Sequence, residues 1–310
     1  MKILLSEYRI QGSGHRKSCP LPPVPCTLLV ALLLATFLIV SMAQAEPDWK
    51  EHGSTHFIIC HTGDENRAKG IADKAERYYK NIAVDLGYPR YSDFWMWDDR
   101  VRVYLYPDKE SYLREAEAQE WSEGTADYKK KEIYSFVDSQ DFEDSVLPHE
   151  MAHLIFREFV GFTGEIPMWL DEGVAQWAEE AKRSEMKAMV KKYYKDEKLL
   201  MFSDMVKLDL SYIGSKENKV RVHMKPSRAV DGKPIVLIIS TDELLTTYYL
   251  QSVSLIGFLV EKYGSQKFAE LCRQLRDGKE VEDALRVSYP AVITSMDVLS
   301  DKWREYISKL

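Results

Sequence analysis

The stretch His149-Glu150-Met151-Ala152-His153 lies within the apolar pattern Val146, Leu147, Ala152, Leu154 and Ile155, whose spacing predicts an amphipathic helix. Residues four apart stand one above the other on a helix, so the two imidazoles can converge on one ion. Glu150 is displaced by about 100° around the axis. Its carboxylate therefore does not ligate, but it can reach a water at the ion, which is why hydrolytic chemistry uses these residue types at this spacing. Pro148 fits a first turn, whose backbone N–H groups lack intrahelical partners in any case. Asp144 or Ser145 would then cap the helix start.

Two histidines do not complete a zinc site. Eighteen residues beyond His153, Glu172 lies in Pro167-Met168-Trp169-Leu170-Asp171-Glu172-Gly173-Val174-Ala175-Gln176-Trp177. Pro167 suits the first position of a second helix, and Trp169, Leu170, Val174 and Trp177 give it an apolar face. Glu172 would sit one turn in, with Gly173 allowing close approach to the first helix. Two helices joined across residues 161–166 can then place two imidazoles and one carboxylate around one Zn²⁺ per chain, leaving a fourth position for water. Glu179, two turns past Glu172, is read as part of a solvated helix face, with orientation of a ligating histidine as the alternative.

Upstream of the motif, strands and helices alternate. The runs 55–61, 101–106 and 131–137 are β-prone, and residues 65–86 and 109–120 have helical periodicity. After Asp144 almost everything is helical in pattern, apart from an apolar run at 234–240, and helices are expected near 248–263, 266–276 and 298–309. The sum is an α+β protein, with a small mixed sheet in residues 46–143 and a mainly helical part carrying the zinc site in residues 144–310.

Residues 1–45 read as a targeting segment. Arg9, Arg16 and Lys17 precede an unbroken apolar run over 27–40, and Ala43-Gln44-Ala45 offers small residues at the positions a signal peptidase reads. This 14-residue run falls short of the roughly 20 that span a bilayer, so a cleaved signal peptide is the expectation and an uncleaved anchor the alternative. The protein is then exported, periplasmic or extracellular, with membrane contact only if the leader is retained. Without the leader, 38 basic residues face 48 acidic ones, a formal charge of −10, which argues against nucleic acid or anionic lipid as a partner. Only Cys60 and Cys272 remain. Export would permit one bridge between them, and two buried free thiols are the equal alternative.

The His-Glu-x-x-His pair, followed after eighteen residues by Glu in a Trp-Leu-x-Glu-Gly context, resembles the gluzincin metallopeptidases. From about Trp49 onwards the chain is similar to the bacterial peptidase MA-like families, most closely at the zinc motif and less so beyond Ala181. Leu147 to His153 matches their Leu-Pro-His-Glu-x-x-His segment, and Tyr249, Gln251 and Ser252 match a later Tyr-x-Gln-Ser helix.

The resemblance implies a zincin-like fold and zinc-dependent hydrolysis of peptide bonds in a peptide or protein substrate. It assigns His149, His153 and Glu172 as metal ligands and Glu150 as the base. It offers Tyr249 as donor to the oxyanion, with Tyr248 and His223 nearest in kind. It also makes the strand at 133–137 the edge that pairs with an extended substrate. Asp171 stands where aminopeptidase relatives usually carry Asn, so aminopeptidase specificity does not carry over. A catalytically silent, zinc-containing peptide-binding protein is the alternative function. His52, His56, His61 and His223 are read as ordinary surface or hydrogen-bonded residues. Phe94-Trp95-Met96-Trp97 fits a groove lining, core packing or an exposed patch equally.

Overall fold

The strand β3 (Val101–Tyr106) shows how the sheet is built. Its alternation sends Val101, Val103 and Leu105 into the main core, while Tyr104 and Tyr106 join a separate aromatic cluster with Tyr112 and Phe136 on the opposite face. A strand buried on both sides must be central. It pairs in parallel with β2 (Phe57–His61) and with β5 (Glu132–Phe136). Outside these lie two antiparallel strands, β1 (Lys50–Gly53) beside β2 and β4 (Gly124–Asp127) beside β5, giving the order β1-β2-β3-β5-β4. The strand at 133–137 is therefore interior, and among the described residues the edge on that side is β4. This corrects the expected substrate edge.

The computed structural model describes residues 47–88, 94–118, 120, 122–161, 166–208, 219–224 and 235–310. The leader over 1–45 lies outside the described residues, as do residues 162–165 of the connection between the two motif helices and the side chain of His223.

Helix α1 (Glu65–Asp85) is capped by Asp64, whose carboxylate accepts from Asn66 N at 2.9 Å. It buries Ala68, Ile71, Ala72, Ala75, Tyr78, Tyr79 and Ile82 in the main core. Gly87 ends it at φ +77°, where an added Cβ would lie 2.5 Å from the Ser265 carbonyl oxygen. A left-handed backbone in so close an approach requires glycine. Helix α2 (Lys109–Glu115) covers the aromatic face and stops earlier than its periodicity implies, with Glu117 at positive φ.

The motif helix α3 (Leu147–Val160) grows out of a π-helical turn at Phe142–Val146, with Pro148 in its first turn. Neither expected N-cap acts as one. Asp144 accepts from Lys74 Nζ at 2.9 Å, and Ser145 faces Glu179. Helix α4 (Met168–Ala178) follows Pro167, then come α5 (Arg183–Lys195) and the short α6 (Phe202–Met205). An antiparallel pair, β6 (Lys219–Met224) and β7 (Ile235–Ser240), precedes α7 (Thr241–Tyr263). Helices α8 (Ser265–Arg276), α9 (Val281–Ser288) and α10 (Met296–Lys309) complete the chain.

Helix α7 is long and apolar enough to cross a membrane, but 67% of its most apolar window is buried inside the protein. Its apolarity is that of a central core helix. It packs along α4. At the crossing a Cβ on Gly173 would lie 2.7 Å from Ile256 Cγ1 and 2.8 Å from the Ser252 carbonyl oxygen. Gly173 thus admits α7, not the motif helix expected from sequence. Gln251, buried on α7, accepts from Leu200 N at 2.7 Å and donates to Leu200 O at 3.3 Å, which is a structural role. The described residues form one compact unit from Pro47 to Leu310. Cys60 and Cys272 are both buried and free, so the bridge is not formed. His52 and His61 both contact Glu65, and His56 contacts Glu76, as the hydrogen-bonded reading expected. Of the aromatic run, Trp95 is core and Trp97 is exposed.

Candidate metal centre

Helices α3 and α4 pack side by side and bring together the three residues singled out by spacing. His149 Nε2 and His153 Nε2 each lie 3.9 Å from the same oxygen, Glu172 Oε2. One ligand atom from each residue falls within 4.8 Å of the other two. The imidazole centroids are 5.0 Å apart at 76°, as expected for residues one turn apart whose rings turn towards a common point. Ligand bonds of about 2.0–2.2 Å set donor atoms roughly 3.3–3.5 Å apart in a tetrahedron. The 3.9 Å separations exceed that by about half an ångström, and the widest one, within 4.8 Å, by up to about 1.5 Å, so the three side chains must draw inwards to seat an ion. The cluster can hold a metal ion.

Each histidine is backed by a buried carboxylate. His149 Nδ1 lies 3.0 Å from Glu179 Oε1, and Glu179 is 3% exposed. Its other oxygen contacts the Ser145 hydroxyl and, at 3.0 Å, Lys182 Nζ. Burial would raise the Glu179 pKa, but His149, Ser145 and Lys182 together hold it below the ordinary value. Glu179 is therefore no solvated face. The i,i+7 spacing from Glu172 put it two turns along the same stripe, and only the packing of α3 against α4 shows what it meets.

His153 Nδ1 lies 3.1 Å from Asp171 Oδ1, a close ion-pair contact that falls short of hydrogen-bond alignment. Asp171 Oδ2 accepts from Arg157 Nη2 at 2.6 Å. Burial pulls the His153 pKa down, yet Asp171, with Glu172 and Glu150 further off, outweighs it and raises the imidazole to about 9. Asp171 is held below its ordinary value by His153 and Arg157 against the cost of burial. With both Nδ1 atoms turned to carboxylates, both Nε2 atoms are left for an ion, the arrangement that fixes tautomer and ring orientation in metal sites. Glu179→Ala should weaken metal binding by about 10- to 100-fold while leaving the fold intact, as read by competition with a chromophoric chelator and by circular dichroism. Unchanged affinity would remove Glu179 from the site.

No family model matches this chain, and no curated protein matches it in sequence. The chemistry of the centre therefore rests on its own residues.

Glu150 is half-buried on α3, and its charge helps raise both His153 and Glu172. Glu172 itself lies above its ordinary pKa because burial outweighs the two histidines. Tyr249, half-buried on α7, is pushed up to about 12, first by burial and then by the Glu172 carboxylate, so its phenol shares the ligand's surroundings. Tyr248 is fully buried, with its ring edge-on to Tyr249 at 5.8 Å.

Sequence reasoning missed Tyr128. It follows the edge strand β4, with its ring centroid 6.0 Å from that of His153 and the Arg157 guanidinium 4.5 Å above its face. Burial, then Glu150, Asp171 and Glu172, raise its hydroxyl above the ordinary phenol range. No motif spacing could have placed it there.

Proposed function

We propose that this chain is a zinc-dependent peptide hydrolase of zincin-like fold. The observation that carries the reading is the convergence of two Nε2 atoms and one carboxylate oxygen within 4.8 Å, with the non-ligating Glu150 on the same helix. Two imidazoles and a carboxylate suit zinc, with a position left open. When bound, the ion would supply a Lewis acid that brings a water's pKa towards neutrality and polarises the scissile carbonyl.

The protein's own residues do the rest. Glu150 accepts the proton of the attacking water and passes it to the leaving amine. Tyr249 donates to the oxygen that becomes negative in the transition state. Glu179 and Asp171 hold the two imidazoles in register. An extended peptide would add to the outer side of β4, the edge nearest α3 among the described strands, with main-chain hydrogen bonds setting its direction.

The test is elemental analysis of unchelated protein combined with digestion of a proteome-derived peptide pool, with and without chelator. About one zinc per chain and cleavage that stops with chelator and returns with zinc are expected. Absence of metal, or cleavage indifferent to chelator, would sink the reading. The same proposal places the protein outside the cytoplasm after removal of residues 1–45. N-terminal sequencing of exported protein should begin near Glu46, and a chain starting at Met1 would refute cleavage.

A further inference from the structure

Arg157 stands one turn beyond His153 on α3 and is 38% exposed at its side chain. Its guanidinium is fixed from two sides, by the 2.6 Å bond to Asp171 through Nη2 and by stacking on the Tyr128 ring at 4.5 Å. Nε is buried, and Nη1 has no acceptor among the described residues. The neighbouring carboxylate, Glu158, does not neutralise it. That group is already taken by Lys131 Nζ at 2.8 Å and Trp95 Nε1 at 2.8 Å. Asp171 meets Arg157 through Oδ2 alone, because its Oδ1 is turned to His153. A positive fork is thus left incompletely paired beside a ligand of the metal centre, in surroundings where Glu150, Glu172 and Asp171 are all acidic.

Tyr128, which lies under that guanidinium, is itself 41% exposed. A planar guanidinium held by one carboxylate and one ring has already lost most of its rotational freedom, so it can engage a second planar anion at small entropic cost. A lysine would not be held this way. Were the role of Arg157 only to position Asp171, neither the stacking ring nor the exposed flank would be needed.

We propose that Arg157, braced by Tyr128, is a specificity-determining residue that binds a carboxylate of the substrate next to the metal centre, either an acidic side chain or the C-terminal carboxylate. This rests on the peptide-hydrolase reading. Its test uses binding, so the two can fail separately.

The probes are two matched sets of synthetic peptides. One pairs free-acid with amidated C-termini, and the other, amidated throughout, pairs Glu with Gln. Dissociation constants are measured by fluorescence anisotropy on the full zinc-loaded chain carrying Glu150→Gln, which arrests turnover. In one of the two sets the carboxylate member should bind about 10- to 100-fold tighter, and the set showing the preference identifies the source. Arg157→Met should collapse that ratio towards one, and Arg157→Lys should restore only part of it. Tyr128→Ala, which leaves Asp171 untouched, should reduce it several-fold. Zinc content is measured on every variant. A ratio of one in the parent protein overturns the proposal. So does an Arg157→Met variant that retains the parent's ratio, weakens both members of a pair equally or fails to hold zinc, because each outcome assigns Arg157 a purely positioning role. Absence of binding by every peptide also overturns it, while zinc-dependent cleavage by the wild-type chain would still stand or fall alone.

Discussion

Glu150→Gln is expected to lower peptide hydrolysis by about 10²- to 10⁴-fold, the contribution of a positioned general base, while metal content stays at the wild-type level. The substitution is nearly isosteric, and an amide cannot accept the proton from an attacking water. It should leave the ion in place because the converging atoms belong to His149, His153 and Glu172 and not to Glu150. Paired measurement of steady-state cleavage and bound metal on the same preparation separates three cases. Loss of activity with metal retained supports the base. Loss of both would mean that Glu150 holds the site together. Equal activity in both proteins would refute the assignment, and a wild-type chain that binds zinc and peptide without cleaving would establish the silent binding protein instead.

The three candidate ligands are legible because the chemistry is written locally. Two histidines four apart and a glutamate one turn into the next helix are fixed by helix periodicity, and α3 and α4 then need only pack side by side. Their supports are legible only in part, Glu179 as the alternative to a solvated face and Asp171 not at all. Asp171 is the residue before a ligand and Glu179 lies seven after it, but which histidine each one meets depends on the rotation of one helix against the other.

The expected edge at 133–137 comes from the family resemblance, and a further strand, β4, covers it. Gly124–Asp127 is four residues, begins with glycine and ends with aspartate, and lacks the β-branched run that marks a strand. The apolar 133–137 run stood out because it is buried between two neighbours. An interior strand shows itself in composition, whereas an edge strand, half in water, hides. Tyr128 inherits the same obscurity, since its place over His153 follows from where the β4–β5 turn falls. Gly173 is a site of close approach, but the helix it admits is α7, through Ser252 and Ile256, and not the motif helix that the sequence reading named.

Metal uptake should be coupled to the release of a proton from His153. In the metal-free protein Asp171 holds that imidazole protonated up to about pH 9, and only the neutral ring can ligate. Between about pH 7 and 9 the apparent affinity should therefore rise about tenfold per pH unit, flattening above. The sign for stability is opposite. A histidine whose folded pKa is raised stabilises the metal-free fold fully below its unfolded value of 6.5, and that contribution is lost as pH climbs through about 9. The metal-free protein should thus lose stability over the same window in which metal binding strengthens.

Asp171→Asn separates the causes. It removes the anion that retains the proton, leaving burial to pull His153 down, so the slope of affinity against pH should flatten across this window. At pH 7 the easier deprotonation and the poorer ligand basicity pull in opposite directions, each by about 10- to 100-fold, so the slope is the informative quantity. Chelator competition from pH 6.5 to 9.5, with urea unfolding of the metal-free protein alongside, measures both signs. A wild-type affinity independent of pH in that range would show that Asp171 does not hold the His153 proton.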